Sequence, residues 1–231
     1  MAGVSLACDS CPVRDRAACA ALDGEQRVKL ARLGSHRTLK RGETLFAAGD
    51  DNAICATLIS GALKISSFDQ NGTEHILSLI HPAGFVGEMF APLARHDVIA
   101  LTESVLCLFT RDRYEAAANR FPALGQALLR RASEDLFESR ALIALMTGRT
   151  SRQRVAGFLM AMANAASDSS CHPAQSFDLV LTRGELASLL GLTIETVSRQ
   201  LTRLERESVI VRDGSRGIRL ADAKRIEALA A

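Results

Sequence analysis

The spacing of apolar positions changes along the 231-residue chain, and each change predicts a different kind of element. Residues 25–34 (EQRVKLARLG) have the pattern of a short amphipathic helix ending at Gly34. From about residue 36 to 110, short β-prone runs alternate with turn signals at Arg41-Gly42, Gly49-Asp50, Ser60-Gly61, Asn71-Gly72 and Pro82 to Gly84. Asn71-Gly72, between KISSF and HILSLI, predicts a hairpin. Many short strands at this spacing predict a compact antiparallel roll or barrel. Beyond residue 111 the pattern turns helical. DRYEAAANRF reads as a short helix before Pro122, and the stretch from Ala123 to about Met146 as a long one, with Leu128, Leu129, Leu136, Leu142 and Met146 at its apolar positions. At about 1.5 Å per residue that helix is roughly 36 Å long, more than one small domain needs. One face can pack on the roll and the other on a second copy; a plain interdomain connector is the simpler alternative. Thr150 to about Ala165 predicts a further helix carrying Val155, Phe158 and Leu159, followed by a polar loop over 166–176.

The sharpest pattern lies in residues 182–203, TRGELASLLGLTIETVSRQLTR. Leu186, Leu189 and Leu190 form one apolar series, Gly191 interrupts, and Ile194, Val197, Leu201 and Leu204 form a second with helical period. Thr182 and Glu185 have capping-box spacing, and Thr193 can cap the second helix. Two short helices about a glycine turn predict a helix-turn-helix, whose second helix enters the DNA major groove. The face opposite the apolar stripe carries Glu195, Ser198, Arg199 and Thr202. Arg199 can pair with O6 and N7 of guanine and Glu195 can accept from the cytosine amine, each good pair discriminating by roughly 1–3 kcal/mol. Taken alone, Glu195 and Arg199 would be an ordinary i,i+4 surface pair; a capped helix behind a glycine turn changes that reading. FDLVLT predicts a strand before the motif, and SVIVRDGSRGIRLAD a small hairpin after it, from which Arg212, Arg216 and Arg219 could reach phosphates.

Composition adds limits more than content. Hydrophobic residues make up 48% and charged residues 23%, as in ordinary soluble domains. The formal charge of +2 permits a nucleic-acid partner without arguing for one, although arginines thicken in the last third. No apolar run has the length of a membrane helix and no secretory signal pattern opens the chain, so a cytoplasmic protein is expected. A disulfide framework is then not expected for the six cysteines. Cys8, Cys11 and Cys19 cluster within CDSCPVRDRAAC, whereas Cys55, Cys107 and Cys171 are scattered. The five histidines are dispersed and no Ser/His/Asp arrangement or phosphate loop stands out, so an enzyme is not expected.

A strand-rich N-terminal roll, a long central helix and a C-terminal winged helix-turn-helix resemble the CRP/FNR family of bacterial transcription regulators. The resemblance covers roughly residues 20–231 and rests on RGETLFAAGD, LISGALKI, GFVGEM and above all TRGELASLLGLTIETVSRQLTRLE. It implies an α+β architecture: a cysteine-rich arm (1–24), an antiparallel sensory β-roll like that of cyclic-nucleotide-binding domains (25–121), a dimerisation helix (122–147) and a winged helix-turn-helix (148–231). It implies a homodimeric activator, with RNA polymerase as a partner through exposed roll loops such as the turn at Gln70 to Gly72. The E-x-x-S-R spacing of Glu195, Ser198 and Arg199 is similar to the FNR branch, implying a TTGAT half-site repeated across a palindrome. Thr182, Arg183, Thr193 and Arg203 are counted with them as DNA-contacting residues.

The same resemblance bears on the signal. Cyclic-nucleotide members carry a Gly-Glu pair followed by Arg and a hydroxyl residue. Here Gly87-Glu88 leads to MFAPLARHDVIAL, where Arg95 precedes His96, so cyclic nucleotide is not expected. Cys8-x2-Cys11-x7-Cys19 resembles the cluster arm of FNR-type oxygen sensors, which implies a [4Fe-4S] cluster with a fourth ligand from the roll. Cys107, in ESVLCLF, matches that fourth position; Cys55 reads as a small buried hydrophobe and Cys171 as an exposed thiol. The second gap is seven residues, where the best-known pattern has five, and the acidic residue often found on the dimer helix is replaced by Ser139, with Glu134 and Glu138 nearby. Zinc is the rival metal for four thiolates. The functional alternative is a regulator answering another small-molecule or redox signal with its cysteines uninvolved. A dithiol enzyme is disfavoured because Pro12-Val13-Arg14 opens no thioredoxin-like pattern.

Overall fold

A computed structural model describes residues 8–167, 172–214 and 216–230. Cys171 lies outside the described residues. The chain divides into two compact units, residues 1–137 and 138–231, within the long helix α3 (Pro122–Met146). The sequence reading gave this helix a segment of its own, 122–147, between the roll and the winged helix-turn-helix.

In the first unit, two short 3-10 turns (Cys8–Ser10 and Ala18–Ala21) precede helix α1 (Gly24–Ala31), capped by Asp23 accepting from the Gln26 amide at 2.8 Å. The helix stops at Ala31, earlier than the sequence suggested, because Gly34 already opens strand β1 (Gly34–Leu39). The roll continues with β2 (Thr44–Phe46), β3 (Ile54–Ser60), β4 (Leu63–Phe68), β5 (Glu74–Ile80), β6 (Phe85–Val86), β7 (Asp97–Ala100) and β8 (Ser104–Thr110). They form two antiparallel four-stranded sheets, in the orders β1-β8-β3-β6 and β2-β7-β4-β5. Leu39, Phe46, Leu58, Leu63, Val86, Val98 and Leu106 fill the space between them. The hairpin at Asn71-Gly72 forms, but its loop is longer than a two-residue turn. Asp69 organises it by accepting from the Asn71 and Thr73 amides at 2.8 and 2.9 Å. Those amide bonds, that of Thr73 foremost, hold the Asp69 carboxyl below its usual range.

Helix α2 (Arg111–Arg120) follows, and then α3. Leu124 is the one α3 residue that is fully buried. It joins Leu22, Leu30, Cys55, Phe109, Tyr114 and Ala117 in a second core, against which Cys8, Ala18, Cys19, Cys107 and Leu128 also pack. Leu129 and Phe137 are each 73% exposed and Leu136 is 51% exposed, so the opposite face of the helix has no cover among the described residues.

The second unit contains α4 (Ser151–Ala165), β9 (Ser176–Asp178), α5 (Arg183–Leu190), α6 (Ile194–Arg206), β10 (Ile210–Asp213), β11 (Gly217–Leu220) and α7 (Ala223–Ala230). The last three strands form one antiparallel sheet in the order β10-β11-β9, which is the expected wing plus the strand before the motif. Val155, Leu159, Leu186, Leu190, Val197, Leu204 and Ile226 are fully buried in this unit. Among the described residues no helix is long and apolar enough to cross a membrane.

Candidate functional site

The cysteine site is built by strand register and by the folding of the arm. On β8, Cys107 sits opposite His36 of β1 and Thr57 of β3, so it occupies the middle of the sheet face next to the arm. The arm is fastened by small apolar anchors. Val13 and Ala17, 2% and 3% exposed, pack with Ile59 and Ala83 of the roll. Local bonds shape the rest: the Ala17 amide donates to the Val13 carbonyl at 2.9 Å and the Leu22 amide to the Cys19 carbonyl at 3.2 Å. As a result Cys8, Cys11, Cys19 and Cys107, the four residues singled out in the sequence, line one cavity of about 40 Å³. Arg14, Arg27, His36, Thr57 and Tyr114 are also on its walls. Cys55 is 1% exposed and is not among the lining residues, as its reading as a packed hydrophobe required.

Burial in these walls disfavours the thiolate form of Cys8, Cys19 and Cys107. Burial raises Cys107, and neighbouring Cys8, Cys19, Cys11 and Cys55 add to the shift. Burial also raises Cys8 and Cys19, again with help from neighbouring cysteines, while Arg27 opposes in both cases. Cys55 is pushed up to about 12, mainly by burial. Tyr114, 1% exposed and on the wall of the same cavity, is raised by burial and then by Cys55, Cys19 and Cys107.

As a metal centre, the donor set fits and the space is small. Four thiols on one cavity are the ligand type that iron–sulfur clusters and closed zinc sites take. Yet among the described residues no group of three or more His, Cys, Asp or Glu stands in metal-holding geometry. The cavity, about 40 Å³, is small. A larger group would need one wall to give.

A second, larger cavity of about 590 Å³ lies in the same unit. Its lining includes Glu88, Glu115 and Asp135, with Arg131 as its guanidinium among the described residues. Arg131 donates to the Ala83 carbonyl at 3.2 Å and pairs with Glu134 at 3.3 Å. Arg95, 73% exposed, pairs with Glu88 at 3.3 Å and is absent from the lining. Three carboxylates and one engaged guanidinium are poor company for a phosphate.

The DNA-reading elements follow the local signals. Thr182 caps α5 by accepting from the Glu185 amide at 3.1 Å, and Glu185 accepts from the Thr182 amide at 2.8 Å. Gly191 ends α5 in the left-handed region at φ 61°, a conformation that costs a non-glycine residue about 1–2 kcal/mol. Thr193 caps α6 and accepts from the Thr196 amide at 3.2 Å. Val197, Leu201 and Leu204 are buried as the pattern required, but Ile194 is 52% exposed, because it stands in the first turn at the edge of the packed stripe. Gln200 is buried instead, donating to the Ser151 hydroxyl at 3.2 Å.

On the outer face, Glu195 and Arg199 are exposed. The Glu195 carboxyl is held below its usual range, first by its own backbone amide and then by Thr193. Arg183 reaches across to the Ser198 hydroxyl at 3.4 Å, so α5 and α6 share one polar surface. Arg203 is turned toward Glu207, with Nε to Oε1 at 2.9 Å. Glu207 also pairs with Arg152, and with Arg225 at 3.0 Å, and so links α4, α6 and α7. Arg212 pairs with Glu205 through Nε at 2.9 Å, so it is held to α6, whereas Arg216 and Arg219 stay exposed on the wing. Sequence spacing does not reveal the Glu207 pairs, which join residues 18 and 55 positions apart. The capping box of Thr150 and Gln153 on α4, not read from the sequence, has the same S/T-x-x-E/Q form as the one recognised at Thr182.

A strand roll, a long helix with an uncovered apolar face and a winged helix-turn-helix define a DNA-binding transcription regulator, and comparison with known proteins identifies which kind. Residues 36–121 match the cyclic nucleotide-binding domain and residues 153–229 the Crp-like helix-turn-helix domain. The chain is 32% identical over 222 residues to the transcriptional activator protein FnrL of Cereibacter sphaeroides, covering 95% of this chain and 90% of that one. It is 31% identical over 196 residues to the transcriptional activator protein anr of Pseudomonas aeruginosa, covering 84% and 80%. The structure of FixK2 from Bradyrhizobium japonicum shares the fold, with a TM-score of 0.78 at 23% identity over 86% of this chain and 98% of that one. The chain belongs to the CRP/FNR family of transcription regulators, whose members are not enzymes.

Proposed function

We propose that this protein is an FNR-type transcriptional activator of the cytoplasm that senses oxygen through a [4Fe-4S] cluster held by Cys8, Cys11, Cys19 and Cys107. The observation that carries this reading is the convergence of these four thiols, from positions 8 to 107, on one cavity wall set. When bound, the cluster supplies a reaction with oxygen that dismantles it. This chain's residues supply the rest. Val13 and Ala17 seat the arm on Ile59 and Ala83. Cys8, Ala18 and Cys19 share a core with Leu124 and Leu128 of α3. An arm held in place therefore steadies the start of α3, and an arm released by loss of its ligand stops doing so. The exposed apolar residues of α3 then set how much dimer is present. A dimer lays two α6 helices on the halves of a TTGAT-type palindrome. Arg199 and Glu195 read bases there; Thr182, Arg183, Thr193, Ser198 and Arg203 contact the duplex around them. RNA polymerase is recruited through exposed roll loops, the turn at Gln70 to Gly72 among them. Cyclic nucleotide has no part, given the acidic lining of the large cavity.

The small size of the cysteine cavity favours a second reading, a closed four-thiolate zinc site. Anaerobic purification followed by iron, sulfide and zinc analysis separates the two. The cluster reading expects about four irons and four sulfides per chain, with visible absorption that bleaches in air. It also expects Cys107→Ser to lose both the iron and tight operator binding. A Cys107→Ser protein that keeps its full iron and its operator affinity refutes it, and stoichiometric zinc without sulfide establishes the alternative.

A further inference from the structure

Among the described residues, Arg27 is a guanidinium beside the cysteine cavity that has no carboxylate partner. It lies in α1, half-buried, and lines the cavity beside the four thiols. Its guanidinium donates to two backbone carbonyls, from Nη2 to Leu22 at 2.9 Å and from Nε to Cys19 at 3.4 Å. Neither acceptor is charged, and among the described residues Arg27 has no carboxylate partner. The other cation on the wall, Arg14, has Asp9 at 3.6 Å. A guanidinium partly withdrawn from water without a counter-ion loses hydration and gains no Coulomb energy in return. Four thiols bound to metal are deprotonated and leave the centre with net negative charge. The charge that the fold leaves unanswered therefore has the sign such a centre requires.

We propose that Arg27 is the positioning residue of the cysteine centre: its charge offsets the thiolates, and its fork fastens the turn from Cys19 to Leu22 that presents Cys19. The proposal rests on the cavity being a thiolate-bound centre. The Cys19 carbonyl receives two donors, the Leu22 amide at 3.2 Å and Arg27 Nε, so the turn is set from both sides.

Arg27→Gln removes the charge and shortens the reach, whereas Arg27→Lys keeps the charge and loses the fork. In metal-free protein, amide hydrogen exchange over residues 8–22 should be about fivefold faster in Arg27→Gln, the effect of losing roughly one net hydrogen bond. After anaerobic reconstitution, Arg27→Gln should either load less than the wild type or load with its midpoint potential moved to more negative values, because removing a nearby cation disfavours adding an electron. Arg27→Lys should load fully at close to the wild-type potential, and its thermal melt shows whether the fold is intact. Wild-type exchange in the arm together with full loading at the wild-type potential in Arg27→Gln would overturn the proposal. A wild-type protein that takes up no metal overturns it too, with a different signature: wild type and both variants are equally empty, and the cluster reading falls first.

Discussion

His81 shows how a single half-buried side chain can set a pH limit. It sits in the turn between β5 and β6, and burial lowers its pKa from the usual 6.5. The sign follows from linkage. Above about 6.5 the residue is neutral in both folded and unfolded chains, so it contributes no pH dependence. Below that value the unfolded chain takes up a proton more readily than the folded one, and stability falls until pH drops through the lowered folded value. Urea unfolding of the first unit's fluorescence-labelled protein should therefore show a loss of stability beginning just below pH 6.5, and His81→Gln should remove it. An unchanged acid limb in His81→Gln would mean that other groups set it. At the same scale the sequence was most readable where chemistry is local. Thr182, Glu185 and Gly191 announced their conformations because a cap or a left-handed turn is decided within three or four residues. Ile194 was misjudged because helical period alone does not tell where along the helix the packed stripe begins.

Helix α3 is the element whose sequence and environment disagree most. It is apolar enough for two buried faces, yet Leu129, Leu136, Phe137 and Ile143 are all more than half exposed. Burying one such side chain contributes about 1.5–3 kcal/mol, so a second copy of the helix is the cover with the most to gain. Leu136→Glu combined with Phe137→Glu removes two contacts from each protomer and adds like charge to the face. Self-association by analytical ultracentrifugation should weaken more than about a hundredfold, while the melting of the monomer changes little, since surface replacements usually stay within roughly 0.5 kcal/mol. Unaltered association would assign this face another role. The length of this helix was legible from its composition. Which of its faces stays uncovered was not, because that depends on where the roll and α2 end.

At the scale of the whole molecule, a regulator with two reading helices feels each base contact twice. Arg199 is exposed and has no partner among the described residues, so it is free to reach a base. Arg199→Ala should cost about 1–3 kcal/mol at each half-site and relax selection at one base pair. Arg216→Ala, on the wing, should instead weaken all sequences alike and lower the salt dependence of binding by about one counter-ion per protomer. Operators with one half-site scrambled should bind both the wild type and Arg199→Ala poorly, because the two contacts act through effective concentration. Selectivity left intact by Arg199→Ala in a gel-shift series would move base reading to another residue. By itself the sequence determined the reading helix, its caps and turn, the strand-rich roll and the cluster of three cysteines, since each is written in neighbouring residues. Only the tertiary structure decided that Cys107, which the family resemblance had pointed to, lines one cavity with those three, that Arg27 stands beside them with no carboxylate partner among the described residues, and that Glu207 gathers Arg152 and Arg225 along with its neighbour Arg203. The physical reason is that these meetings depend on strand register and on the packing of distant segments, which no local dihedral preference encodes.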